Sequence, residues 1–102
     1  MYLADRRQAI LWIVETLGEW LPESQIDSTV QAWYDTGFRP YLIAEFIRAG
    51  CFEAQAAAKL HQAGITPNQV SVRDENGYTI AQKFSSNDFS LSDVIFRVAD
   101  LV

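Results

Sequence analysis

An all-α domain, built as a compact array of about five to six short helices, is the fold this chain predicts. Three observations carry the prediction. Apolar residues recur at helical spacing through most of the sequence. Gly37, Gly50 and Gly64 each follow one such stretch and precede an apolar residue, the pattern of a left-handed residue just past a helix end. At 102 residues, 49% of them hydrophobic, the chain can build one core but not two, so residues 1–102 read as a single helical domain.

The first helix is expected from about Ala4 to Trp20. Ile10, Ile13, Val14, Leu17 and Leu21 form one apolar stripe. Leu3, Leu11, Trp12 and Trp20 widen it, which predicts a well-buried helix. Leu21-Pro22 ends it, because the residue before a proline is pushed out of the helical region. A second helix begins between Pro22 and Asp27, with Ser24 and Asp27 as N-cap candidates, and carries Val30, Trp33 and Tyr34 toward Gly37. Pro40 lies near the first position of the third, where a missing N–H costs nothing. That helix buries Leu42, Ile43, Phe46 and Ile47.

The fourth helix carries Ala54, Ala56, Ala57, Ala58 and Leu60, with high helix propensity and room for close approach. Thr66-Pro67 then starts one short turn through Val70. Residues 70–80 admit two readings. Val70, Val72, Tyr78 and Ile80 alternate around Asp74-Glu75-Asn76-Gly77, as in a minor β-hairpin. Ala81, Gln82 and Lys83 suit a helix better than a strand, which favours a loop followed by a short helix from Thr79 through Phe84. Ser85-Ser86-Asn87-Asp88 is a loop signal. Ser90 with Asp93 resembles a capping box, with Asp in place of the usual Glu, and the last helix is expected to bury Leu91, Val94, Ile95, Val98 and Leu101.

Trp33, Gly37-Phe38, Ala44-Glu45-Phe46, Ala49-Gly50, Ala57, Leu60 and Ala63-Gly64-Ile65-Thr66-Pro67 resemble short helical repeats of uncharacterised bacterial proteins. Those repeats follow W-x-x-x-G-F, then A-x-x-[WF], then A-x-x-L-x-x-A-G-[IV]-T-P, matched here over about residues 30–70. The resemblance implies a helical array and carries no activity with it. Gly37-Phe38, Phe46-Ile47 and Leu60 are also similar to ubiquitin-associated three-helix domains. Thr36 stands where that family has methionine, a departure from its ubiquitin-binding loop.

A net charge of −5 with eight scattered Lys and Arg lacks the basic stripe of a nucleic-acid binder. The apolar run from Ala9 to Val14 is too short to cross a bilayer, and no membrane association is expected. The N-terminus lacks the apolar core and cleavage site of a signal peptide. One cysteine rules out an internal disulfide framework and fits a reducing cytoplasm. Cys51 and His61 are the one pair that suggests nucleophilic chemistry. Ten residues apart on one helix, they would sit about 15 Å apart along its axis, so Cys51 reads as a small core residue and His61 as a helix-end cation. One Cys and one His cannot close a zinc site, and no phosphate loop or nucleophile elbow is present. No metal, cofactor or enzymatic activity is expected.

Between Arg7 and Arg39 there is no Lys or Arg, whereas Glu15, Glu19, Glu23, Asp27 and Asp35 all fall there. Trp33, Phe46 and Phe52 are expected in the core, and Tyr34, Phe38, Tyr41 and Trp20 near helix ends with some exposure. The reading is a non-enzymatic protein-interaction or regulatory module, binding a protein partner with a basic surface. Its surface would join the five carboxylates to Tyr34, Phe38 and Tyr41. The alternative is a small acidic phage-type inhibitor that occupies the basic groove of a nucleic-acid-handling enzyme. A homodimer through the exposed aromatics stays open.

Overall fold

The computed structural model describes residues 5–17 and 21–99. Ala4, Leu3, Glu19, Trp20 and Leu101, which the sequence reading used, lie outside them. Helix α1 spans Arg6–Leu17, followed by a 3₁₀ turn at Glu23–Gln25, α2 at Ile26–Asp35 and α3 at Pro40–Arg48. Then come α4 at Ala54–Gln62, α5 at Ile80–Ser85 and α6 at Leu91–Ala99. The fold is all-α, with no strand among the described residues.

Asp5 caps α1, its Oδ1 accepting the Gln8 amide at 2.7 Å. Ile10, Ile13 and Val14 are buried along the expected stripe. Trp12 corrects the sequence reading, because 68% of it is exposed. At about 100° per residue it points some 200° from Ile10, away from the stripe. Neither Ser24 nor Asp27 caps α2. The 3₁₀ turn winds straight into the helix, and its carbonyls do the capping. Gln25 N–H donates to the Pro22 carbonyl at 2.9 Å, and Ile26 N–H donates to that of Glu23.

Pro40 opens α3 as expected. α3 and α4 close in the same way. The Cys51 amide donates to the Phe46 carbonyl and the Ile65 amide to that of Leu60, each at 2.9 Å. Both donors are buried residues that fold back on the last turn. After α2 the arrangement differs: Thr36 hydroxyl donates to Trp33 carbonyl at 2.6 Å and accepts the Phe38 amide at 3.1 Å.

Thr66 and Gln69 exchange side-chain and backbone bonds at 2.9 and 3.3 Å around the single turn ending at Val70. Residues 71–78 form a loop with one antiparallel bridge, Arg73 to Thr79, so the loop reading holds over the hairpin. Ile80 N–H and Ala81 N–H still donate to the Val72 and Val70 carbonyls, at 3.3 and 3.0 Å, while the Thr79 hydroxyl starts α5 by accepting the Gln82 amide at 3.0 Å. Ser90 and Asp93 cap α6 reciprocally at 3.0 and 3.2 Å.

α1 packs on α2 and α3, α2 on α4, and α5 on α6. Trp33, Phe46, Ile10, Ile43 and Leu60 are among the largest fully buried side chains, each stabilising by about 1.5–3 kcal/mol on burial. Phe52, expected in the core, packs against it half-buried. Ile95, also expected inside, is 48% exposed, because α6 buries Val94 and Val98 instead. Thr79, 2% exposed, is a buried polar group that links two helices of the array. Its hydroxyl donates to the Ala49 carbonyl at 2.6 Å, tying the end of α3 to the start of α5.

Candidate functional site

At one end of the α1–α2 pair the structure gathers side chains that the sequence reading treated separately. Arg6 Nε donates to the Phe38 carbonyl at 2.9 Å, and its guanidinium lies 4.6 Å from the centroid of the Tyr34 ring. Arg6 Nη2 is buried without a hydrogen bond, and the negative face of the Tyr34 ring is its electrostatic partner. Arg7 Nη1 donates to Gln31 Oε1 at 2.6 Å, and Gln31 Nε2 donates to Asp35 Oδ1 at 2.9 Å. This relay offsets the charge of Asp35 at a helix C-terminus, where a carboxylate is unfavourable. Tyr34 and Asp35 therefore belong to an arginine clamp and not to a purely acidic face.

Phe38 is the second correction. Expected near the surface, it is 8% exposed. It stacks on Phe46 at 5.8 Å between centroids and meets the edge of His61 at 4.9 Å. A ring packed on the core in this way holds the α2–α3 turn in place and offers little to a partner. Tyr41 is exposed as expected, at 67%. Glu15, Glu23 and Asp27 are exposed, and their side chains make no hydrogen bond or ion pair among the described residues. Trp12 is the residue sequence reasoning missed, one turn from Glu15 on the outer face of α1.

An open groove of about 790 Å³ lies between the start of α2, the α3–α4 turn and α5. Gly50, Phe52, Glu53, Tyr78, Gln82 and Lys83 are among its lining residues. Lys83 is paired with Asp74 at 3.4 Å. The Tyr78 amide, together with the Asn76 amide and Lys83, holds the Asp74 carboxyl below the usual carboxylate range.

Cys51 precedes α4, fully buried, with its thiol facing the Glu53 carbonyl at 3.7 Å. Burial pushes its pKa up to about 12, which keeps the sulfur protonated and unreactive. His61 is exposed beside Phe38. No group of three or more His, Cys, Asp or Glu among the described residues is arranged to hold a metal ion. No described helix is long and apolar enough to cross a membrane. No family model, curated protein or solved structure matches the chain.

Proposed function

We propose that this chain is a non-enzymatic protein-interaction module that engages a partner with a basic surface through the outer face of α1 and the neighbouring carboxylates. The observation that carries this reading is Trp12, 68% exposed and directed away from the core. A solvated indole gains a large apolar contact area when a partner covers it, and tryptophan is enriched among residues that dominate binding energy. Glu15 on the same face and Asp27 on α2 are exposed and make no ion pair among the described residues, which suits them to steer a cationic surface toward the indole. The lone buried cysteine fits a cytoplasmic setting.

The test is binding of a purified partner to wild type, Trp12→Ser and the pair Glu15→Lys with Asp27→Lys. Trp12→Ser should raise Kd by about tenfold or more, mainly through faster dissociation. The double charge reversal should slow association and flatten its salt dependence. Binding untouched by either variant would sink the assignment.

A further inference from the structure

The groove of about 790 Å³ lies beside a smaller cavity of about 230 Å³, and Thr29, Phe52 and Glu53 line both, so the two are adjacent hollows of one trough. We propose that this trough binds an extended basic peptide segment of another protein, with Glu53 and Asp88 receiving its Lys or Arg side chains. Shape is the first argument. Its walls come from the α2 N-terminus, the segment leading into α4 and the residues of α5, and a surface hollow bordered by three separate segments can take a chain lying across it.

Hydrogen bonding is the second. Side chains of Gln25, Thr29, Asn76, Tyr78 and Ser85 line the groove, and none of them makes a hydrogen bond among the described residues. An extended peptide brings one donor and one acceptor per residue, and these uncommitted amides and hydroxyls can answer both. Charge is the third. The ionised side chains lining the trough are Glu53, Lys83 and Asp88. Lys83 is already neutralised by Asp74 at 3.4 Å, and Glu53 has no ion pair among the described residues. An anionic occupant would meet two carboxylates and a satisfied lysine, whereas a cationic one finds complementary charge.

The trough shares no residue with the outer face of α1, so the two assignments stand or fall separately. The experiment titrates the 15N-labelled full chain with the blocked peptide Ala-Lys-Ala-Arg-Ala-Ala and with its acidic counterpart Ala-Glu-Ala-Asp-Ala-Ala, following backbone amides. The basic peptide should give saturable shifts at Thr29, Gly50, Gln82 and Ser85. Glu53→Gln should weaken it by about two- to fivefold, and added salt should weaken it further. Gln25→Lys, which sets a cation in the trough from an exposed side chain, should also weaken binding. Trp12→Ser should leave it unchanged. Absent shifts, shifts confined to residues outside the trough, or an equal response to the acidic peptide would overturn the proposal. So would indifference to both Glu53→Gln and Gln25→Lys.

Discussion

Replacing Thr79 with valine keeps the shape of a buried side chain and removes its hydroxyl. That hydroxyl donates to the Ala49 carbonyl at 2.6 Å and accepts the Gln82 amide at 3.0 Å. Ala49 is buried, and its carbonyl has no other donor among the described residues. Losing the N-cap bond of α5 costs about 1 kcal/mol. Leaving a buried carbonyl without a donor costs about 1–3 kcal/mol more, so Thr79→Val should destabilise by about 2–4 kcal/mol in all. Thr79→Ser keeps both bonds and removes one methyl, worth about 1 kcal/mol. Urea unfolding followed by circular dichroism separates the two through the midpoint, provided the slope is unchanged. In a chain of this size the valine variant should also melt at least about 10 °C lower. If it unfolds within about 0.5 kcal/mol of wild type, or if serine costs as much as valine, the bond to Ala49 does not hold α3 to α5.

Gly50→Ala should cost more than Gly64→Ala. Both positions have positive φ, +98° and +78°, and the left-handed backbone alone penalises alanine by about 1–2 kcal/mol. A Cβ at Gly64 meets open space, whereas one at Gly50 falls 2.6 Å from Thr79 Oγ1 and presses on Gln82 Cγ. Overpacking adds about 1–3 kcal/mol there, measurable by the same urea titration. Cys51 should resist Ellman's reagent in the native chain and react once urea unfolds it. Its folded pKa is raised from 9.0 to about 12, so above pH 9 the unfolded thiol loses a proton that the folded one keeps. Stability should therefore fall with rising pH, by up to about 1.4 kcal/mol per pH unit relative to Cys51→Ala. A parallel pH dependence in the two proteins would refute it. Asp93 behaves oppositely. The Ser90 amide holds its carboxyl below the ordinary 3.8, so its contribution is present above that value and lost as pH falls through the folded pKa. NMR chemical shifts of α6 should report fraying on acidification, and Asp93→Asn should abolish that step.

What could be read from residues alone was local chemistry. The ends of α3 and α4 were legible because a glycine followed by an apolar residue is a self-contained closure, and Cys51 and Ile65 complete it. The starts of α5 and α6 were legible because Thr79 and Ser90 find their partners three residues on. Trp12 was misassigned, although its angle on the helix sets it opposite Ile10, because it was counted as widening the buried stripe. The start of α2 was not legible, because the 3₁₀ turn meets the first amides with backbone and leaves Ser24 nothing to cap. Phe38 depended on Phe46 and His61, which reach it from two other helices. Ile95 depended on which side of α6 its neighbour would cover. The acidic stretch between Arg7 and Arg39 is continuous in sequence only. In space Arg6 and Arg7 fold over its far end at Tyr34 and Asp35. The trough escaped notice for the same reason, being assembled from three segments distant along the chain.

Structural and exposed roles fall on different residues in this molecule, and that separation makes the functional proposals testable. Arg6, Phe38, Gly50 and Thr79 each connect one helix end to another, so changing them alters stability and any binding together. Trp12, Glu15, Asp27, Tyr41 and Glu53 are exposed, and none of their side chains makes a hydrogen bond or ion pair among the described residues. Substitutions there should change the unfolding free energy by no more than about 0.5 kcal/mol. A variant from this second group that loses a partner while keeping its midpoint has lost a contact and not a fold. Keeping an unpaired carboxylate at the mouth of α4 and an indole in water contributes little to the folded state. Their exposure without a role inside the fold is the physical reason to seek their purpose in another molecule.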